Sequence, residues 1–79
     1  MPLYHFDVHT SVVARDEEGL DLPDLDAAKV NAIAGARFLV VEEVKQNHRF
    51  NPGHSIKIGN TAGLLLHTIR FGDCIDVRL

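Results

Sequence analysis

Apolar and polar residues alternate from position 3 to position 10, in the stretch LYHFDVHT. Tyr4, Phe6 and Val8 fall on one face of this stretch, and polar side chains fall on the other. A period of two with aromatic and β-branched residues predicts a half-buried strand. The stretch SVVAR at 11–15 can return beside it as a second strand, although no Asn-Gly or glycine-rich turn separates the two.

The pattern changes at Pro23, which disfavours a helical conformation for the residue before it. Asp24 is the predicted N-cap, because its carboxylate can accept a hydrogen bond from a free N–H group of the first turn. Asp26 in that turn suits the positive end of the helix dipole. No proline or turn cluster interrupts residues 25–47, so one long helix is predicted there, with Asn47 as its C-cap.

Two apolar stripes run along this predicted helix on a helical wheel. The first is rich in small residues that would let the helix lie close to a sheet: Leu25, Ala28, Ala32, Gly35, Ala36, Leu39 and Val40. The second carries Val30, Ile33, Val41 and Val44, with Arg37 among them. A surface helix of a monomer normally has one apolar stripe. We therefore expect the tail of the chain or another subunit to cover the second stripe.

The second half of the chain predicts two further strands after a loop, NHRFNPGH. They lie at 54–58 and 64–71 and are joined by the turn GNTAG. The last strand is partly apolar on both faces, which predicts a central position or a covered face. The tail at 72–79 fits a short strand or a turn. The order ββαββ predicts an α+β fold, with an antiparallel sheet and one long helix packed on one face, as a single domain over 1–79.

Composition excludes several classes of protein. The formal net charge is −3, and the eight basic residues are scattered, so no basic stripe suggests a nucleic-acid partner. The apolar runs FLVV and LLL are too short to span a membrane, and the N-terminus lacks a signal-peptide pattern. Cys74 is the only cysteine and is expected to be a small apolar side chain. A single cysteine fits a reducing compartment, and we expect a cytoplasmic protein.

The stretch RDEEGLDLPDLDAA at 15–28 holds six of the eleven acidic residues and is the first candidate for a cation site. A calcium loop with Gly19 at its sixth position would begin at Ala14 and end at Leu25, and neither side chain can be a ligand. Local roles account for the acidic residues instead: an exposed turn, an outward position in an extended segment, and the start of the helix. The sequence thus favours a structural role over a calcium site: the stretch is a joint, that is, the connection between the first hairpin and the helix.

Histidines offer an alternative metal site. His5, Asp7 and His9 share the polar face of the first strand, and His67 could join them if the last strand is adjacent. Zinc needs three or four ligands at close range, whereas His5 and His9 would be about 13 Å apart on a straight strand. A solvated or dimer-covered strand face explains the same residues.

Catalytic signatures are weak. GNTAG lacks the Gly-Lys-Ser/Thr ending of a phosphate-binding loop and joins two strands instead of a strand and a helix. The sequence also carries no nucleophile elbow. We therefore expect no enzymatic activity and no cofactor.

Several features coincide with a known sequence pattern. The chain begins Met-Pro-x-Tyr-x-Phe and carries Asp-Glu-x-Gly and a Pro-Asp at the helix start. Its last predicted pair of strands ends at an aromatic residue. In these features it resembles a family of small bacterial proteins of unknown function. The matching positions are Met1, Pro2, Tyr4, Phe6, Asp16, Glu17, Gly19, Pro23, Asp24, Ala27, Ala28 and Phe71. The chain departs from the family in GNTAG, where an acidic turn is common, and in its extra histidines. The resemblance implies a bacterial cytoplasmic origin and no particular activity.

Residues 15–36 also resemble the antitoxin half of HicAB-type toxin–antitoxin pairs, without the DNA-binding segment that those antitoxins usually carry. A regulator of a small toxin is therefore one alternative, and a metal-binding module is another. Our main expectation is a non-catalytic module that binds a protein or associates with itself. A homodimer joined through Val30, Ile33, Val41 and Val44, or through sheet edges, is the simplest form.

Overall fold

Five strands and two helices make up residues 2–74, which are the residues that the computed structural model describes. The strands are β1 Leu3–His9, β2 Val13–Ala14, β3 Leu20–Asp21, β4 Ser55–Gly59 and β5 Leu65–Arg70, and the helices are α1 Leu25–Asn47 and α2 Phe71–Cys74. All strand pairs are antiparallel, and α1 packs on one face of the sheet. The predicted α+β fold is therefore confirmed.

The sheet has the order β2-β1-β4-β5, and β3 also pairs with β1. β2 pairs near the C-terminal end of β1, through Val8 and His9, and β3 pairs near its N-terminal end, through Leu3 and Tyr4. The segment after the first hairpin, predicted only as extended, thus returns to β1 as a separate strand.

β5 has one neighbouring strand, β4, within the described residues, so it lies at the edge of the sheet. Of the two alternatives predicted for this strand, a central position or a covered face, the central position is not found among residues 2–74. Its two apolar faces have another explanation. Ile69 is buried and pairs with Ile56 of β4. The pairing between β4 and β5 has an irregularity at Ile58 and Gly59, where Leu66 has no partner residue. Leu66 packs against the core. Leu65 beside it stays largely exposed.

α1 spans the predicted range and is capped at both ends. The Asp24 carboxylate accepts a hydrogen bond of 2.8 Å from the Ala27 N–H. At the other end His48 has a left-handed conformation, with φ of 59°, and its N–H donates to the Val44 carbonyl. The C-cap is therefore His48 and not Asn47, because the residue that adopts the left-handed conformation closes the last turn.

The core lies between α1 and the sheet. On the helix it consists of small side chains, Ala28, Ala32 and Ala36, with Val40 beside them. The sheet contributes larger ones, which include Tyr4, Ile56, Ile58 and Ile69. Small residues on α1 allow close approach to β4: a Cβ added to Gly35 would lie 3.6 Å from Ile56 Cδ1. The first apolar stripe of the sequence is the face that packs.

α2 follows β5 directly and closes one end of the core. Phe71 is almost completely buried, and its N–H donates to the His54 carbonyl over 2.8 Å. The tail, predicted as a strand or a turn, is helical up to Cys74, and residues 75–79 lie outside the described residues. Among residues 2–74, neither helix combines the length and the apolar character that crossing a lipid bilayer requires.

Candidate interaction surface

The side of α1 that points away from the sheet is exposed and largely apolar. Val30 is 68% exposed, Phe38 64%, Val41 49% and Val44 40%, and Ala34 lies exposed among them. We call these five residues the outer face of α1. A helix that is apolar on both sides is normally buried on both. The outer face is thus the strongest candidate in the described chain for contact with another molecule.

The predicted interface residues fall into two groups. Val30, Val41 and Val44 are exposed on the outer face, whereas Ile33 is partly buried and packs against the core. Ile33 lies between the two stripes on the helical wheel, and the sheet covers part of its side chain. Ile33 therefore offers less free surface than its position in the stripe suggests.

Phe38 is the outer-face residue that the sequence analysis missed. It belongs to neither predicted stripe, yet it is the largest exposed apolar side chain on α1. The spacing of Phe38 in the sequence could have revealed this position. Phe38 lies four residues after Ala34 and three before Val41, and residues three or four apart are neighbours on one side of a helix. Phe38 therefore lies beside the second stripe.

Arg37 is the charged residue within the second stripe, and the structure gives it a partner. Its Nε donates a hydrogen bond of 3.1 Å to the Cys74 carbonyl, at the last residue of α2. A guanidinium group at this place satisfies a carbonyl at a helix C-terminus. The chain therefore reaches the stripe at Arg37 through Cys74, and residues 75–79, the rest of the tail that was expected as one possible cover of this stripe, lie outside the described residues.

Cys74 is a buried free cysteine. Burial raises the pKa of its thiol, more than Arg37 lowers it, and Asp73 raises it further. The Sγ atom lies 3.4 Å from the Arg70 carbonyl, to which it donates. A protonated, buried thiol is a poor nucleophile. Its environment is that of the small apolar side chain that the sequence predicts.

The four candidate metal ligands occupy two faces of the sheet. His9 pairs with Ser55 and Asp7 pairs with Lys57, on the face that α1 leaves open. His67 pairs with Ile58, which is fully buried beneath α1, and partners across an antiparallel ladder point to the same face. Within residues 2–74, no three His, Cys, Asp or Glu side chains lie close enough to hold one metal ion. The structure therefore groups His5, Asp7 and His9 on one face and separates His67 from them.

Two of these candidates bind the backbone around Asp16. His5 Nδ1 lies 2.7 Å from the Asp16 carbonyl oxygen, and Asp7 Oδ1 accepts a hydrogen bond of 2.9 Å from the Asp16 N–H. Both contacts hold the segment between β2 and β3 against β1. His5 and Asp7 thus have a structural role that does not require a metal.

Asp16 itself completes this joint. Its carboxylate accepts hydrogen bonds of 3.1 Å from the N–H groups of Phe6 and Gly19. Burial acts to raise the pKa of Asp16, but hydrogen bonds from Gly19, Phe6 and Glu18 and the charge of His5 hold it below the ordinary value. Together with the Asp24 cap, these contacts give residues in the acidic stretch the local roles that the sequence favours.

An open groove lies beyond the C-terminal end of α1. Residues 47–52 and Glu43 line a depression of about 840 Å³, and a smaller one of about 260 Å³ beside it reaches His54. Among the described residues, the buried Nδ1 atom of His54 has no hydrogen-bond partner, and its ring packs edge-on against Phe71. The groove is lined mainly by exposed polar residues of one loop. The outer face of α1 is therefore better suited to a contact that depends on apolar burial.

Comparison with known proteins gives one informative result. A family model with the description "Domain of unknown function (DUF6894)" matches residues 3–72. No curated protein and no solved structure shows significant similarity to the chain. The matched range contains the whole sheet and all of α1, so it includes the outer face.

Proposed function

Because the chain belongs to the DUF6894 family, a domain of unknown function, we propose a function from its surface: a non-catalytic module that associates with itself through the outer face of α1. The observation that carries this proposal is the exposed apolar strip of four large side chains on a helix whose opposite side is already buried. Contiguous exposed apolar patches on a protein surface mark interaction sites, whereas single exposed apolar residues are ordinary.

The small core supports the same proposal. The side chains of α1 that face the sheet are mostly alanine, and the largest fully buried side chains are Phe71 and Ile58. A chain of this length buries a limited share of its surface and gains from association. Burial of a valine or phenylalanine side chain contributes about 1.5–3 kcal/mol. A symmetric contact would bury each outer-face side chain twice, once in each copy.

The alternatives have less support. The metal-binding alternative loses force because His5 and Asp7 bind the backbone around Asp16 and His67 lies on the other face. The antitoxin-like alternative depends on residues 15–36, which here form the joint after the first hairpin, β3 and the first half of α1. A different protein bound to the outer face remains the closest competitor to self-association. We expect the module in a reducing compartment such as the cytoplasm, because a single cysteine can form no internal disulfide.

Light scattering coupled to size exclusion tests the proposal. The wild-type chain should pass from 8.7 kDa towards twice that mass as its concentration rises from about 1 µM to about 500 µM. Val30→Glu should stay monomeric over the same range, because a carboxylate would be buried in the contact. Leu64→Glu is the matched control: Leu64 is 60% exposed in the loop that precedes β5, and its variant should dimerise normally.

Far-UV circular dichroism on both variants separates a lost contact from a lost fold. A wild-type chain that stays monomeric throughout, or equal effects of the two variants, would rule out self-association through α1. A wild-type monomer would direct attention to a different protein as the occupant.

A further inference from the structure

One side of β5 is an open edge of the sheet. β5 pairs with β4, and among residues 2–74 no strand pairs with its other side. The opposite side of the sheet differs, because β2 and β3 both pair with β1, and the Asp16 carboxylate accepts the Phe6 N–H between them. An unpaired strand edge presents backbone donors and acceptors that can pair with another chain. We call the free side of β5 the β5 edge.

The register shows which backbone groups point outwards at this edge. The Phe71 N–H donates to the His54 carbonyl, in line with the pairing of β5 and β4. Along an antiparallel pair, residues that bond to the partner strand alternate with residues that do not. Ile69 is therefore the next residue that bonds to β4. The N–H groups of Thr68 and Arg70 point away from β4, and so does the Thr68 carbonyl.

The charged side chains at this edge are basic. Thr68 pairs with Lys57, and Arg70 pairs with Ser55, on the sheet face that α1 leaves open. β4 and β5 contain no acidic residue, although the whole chain has eleven. Lys57 and Arg70 therefore lie on the same face, next to the free backbone groups.

Two carboxylates are neighbours of these cations. Asp7 pairs with Lys57 from the other side, on β1, but its Oδ1 atom accepts a backbone N–H. Asp73 lies three positions after Arg70, in α2. Within residues 2–74, neither Lys57 nor Arg70 forms an ion pair. The β5 edge thus keeps a local positive charge in a chain whose formal net charge is −3.

We propose that the β5 edge binds an extended acidic segment of another protein, which adds to the sheet as an antiparallel strand beside Thr68 and Arg70. In this mode of recognition, main-chain hydrogen bonds provide affinity and alternate side chains provide specificity. A second copy of β5 fits less well, because it brings further cations and no carboxylate to the same place. The proposal goes beyond self-association through α1 and does not depend on it.

The pattern of the bound segment follows from the register. In an antiparallel pair, two residues that exchange hydrogen bonds carry their side chains on the same face. A segment residue that bonds to Thr68 or Arg70 therefore points its side chain to the face of Lys57 and Arg70, where a carboxylate is favoured. The alternate side chains lie on the α1 side, next to Ile69. The segment should thus alternate acidic and β-branched residues.

A designed peptide tests the proposal. The probe is Thr-Val-Glu-Val-Glu-Val-Thr, labelled with fluorescein at one end and blocked at the other, and its binding is followed by fluorescence anisotropy. It should bind the wild-type chain with a dissociation constant below about 1 mM. The same peptide with Lys in place of Glu should bind at least about 10-fold more weakly. No saturable binding of the acidic peptide would overturn the inference.

N-methylation of the peptide separates strand addition from attraction between charges alone. Methyl groups on both Glu nitrogens remove the donors that face β5, and should weaken binding at least about 10-fold. Methyl groups on the Val nitrogens, which face away from β5, should change the affinity less than about 2-fold. Equal effects of the two peptides, or the reverse order, would contradict antiparallel addition.

A charge reversal makes the test from the side of the chain. Arg70→Glu should weaken binding of the acidic peptide about 5-fold. Arg15→Glu is the matched control, because Arg15 is exposed after β2, at the other side of the sheet, and its variant should bind normally. Equal affinities of the two variants would contradict the role of the charge.

A proline tests the outward N–H of Thr68. Proline is tolerated on an edge strand where the N–H faces solvent, so Thr68→Pro should fold and lose at least about 10-fold in peptide affinity. Far-UV circular dichroism checks the fold. If this variant does not fold, the methylated peptides give the same answer with the wild-type chain. A folded Thr68→Pro variant with wild-type affinity would overturn the inference.

Val30→Glu separates this proposal from self-association. The variant should bind the acidic peptide as the wild-type chain does, because α1 and the β5 edge are different surfaces. Failure of self-association therefore leaves the peptide result intact. If a second copy occupied the β5 edge instead, Thr68→Pro would abolish self-association and Val30→Glu would not. That outcome would overturn the inference.

Discussion

At the scale of single residues, Asp16 is the side chain that organises the N-terminal half of the sheet. β2 ends at Ala14 and β3 begins at Leu20, so the backbone ladder along this side of β1 is interrupted between them. The Phe6 N–H, which lies in the interrupted stretch, donates to the Asp16 carboxylate. The Asp16 carboxylate thus replaces the carbonyl group that a neighbouring strand would offer in an uninterrupted ladder. The Phe6 N–H therefore keeps a hydrogen-bond acceptor.

Gly19 permits this joint. Its φ is 76°, in the left-handed region that favours glycine, and a Cβ at this position would lie 2.9 Å from Leu3 Cγ. Its N–H donates to the second oxygen of Asp16. The acidic stretch is therefore organised around one carboxylate and one glycine.

Replacement of Asp16 by asparagine tests the role of the charge. Asp16→Asn should lower the free energy of unfolding by about 1 kcal/mol at pH 7, because the amide cannot accept hydrogen bonds at both of its terminal atoms. The pKa of Asp16 is lower in the folded chain than its ordinary value. The charge therefore stabilises the fold above the unfolded-state pKa, and this contribution disappears as the pH falls through the folded-state pKa.

Urea unfolding at pH 7, 5 and 3 measures both effects. The difference between wild type and Asp16→Asn should shrink as the pH falls, because protonation of Asp16 removes the charge that its lowered pKa shows to be stabilising. Asp21→Asn is the control, since Asp21 is exposed in β3, and it should change stability little at any pH. A pH-independent difference for Asp16→Asn would contradict the role of the charge.

At the scale of elements, α1 is the part of the chain whose limits are set locally. Its N-terminus follows Pro23 and is capped by Asp24, and its buried face is a run of alanines at intervals of four. The same helix carries a second apolar side that nothing in residues 2–74 covers beyond the Arg37 contact. One element thus holds the fold together and presents the candidate interaction surface.

The Asp24 cap gives a prediction about this element. Asp24→Ala should lower the free energy of unfolding by about 1 kcal/mol, because it leaves an N–H group of the first turn without its acceptor. Asp24→Ser keeps a capping oxygen and should retain most of the stability. Thermal or urea unfolding of the two variants, at a concentration where the chain is monomeric, measures the difference. Equal losses for alanine and serine would show that the side-chain cap contributes nothing.

At the scale of the whole molecule, the fold is a thin two-layer structure, with extents of 40 × 25 × 16 Å between its Cα atoms. α1 covers one face of the sheet, and the other face carries His5, Asp7, His9 and Lys57. A contact between the outer faces of α1 in two such molecules would give four layers, with the sheets outside and the helices at the centre. The polar sheet faces would then stay in contact with water.

Metal addition is informative at this scale. Zinc or calcium in excess should leave the melting temperature of the chain unchanged within about 1 °C, since a ligand that does not bind the folded state cannot stabilise it. The expectation follows from residues 2–74, where no three suitable side chains converge. Differential scanning fluorimetry of metal-free protein, with and without each ion, makes the measurement. A zinc-dependent rise that His9→Ala abolishes would instead support the metal-binding alternative.

Local information in the sequence determined the fold class, the span of α1 and its buried stripe. Alternation in strands and the recurrence of small apolar residues in α1 are short-range patterns, and each reflects which side of an element meets the core. Asp24 is likewise a local feature, because a cap acts within one helical turn. The exposed valines at 30, 41 and 44 followed from the same helical period.

Tertiary structure alone decided where the elements lie relative to one another. It put β5 at the edge, set His67 and the His5 side of the sheet on opposite faces, and brought Asp16 to the Phe6 N–H. It also half-buried Ile33 and tied Arg37 to α2. Strand order and register depend on packing between segments far apart in the chain, and a short-range pattern carries no record of which segments meet.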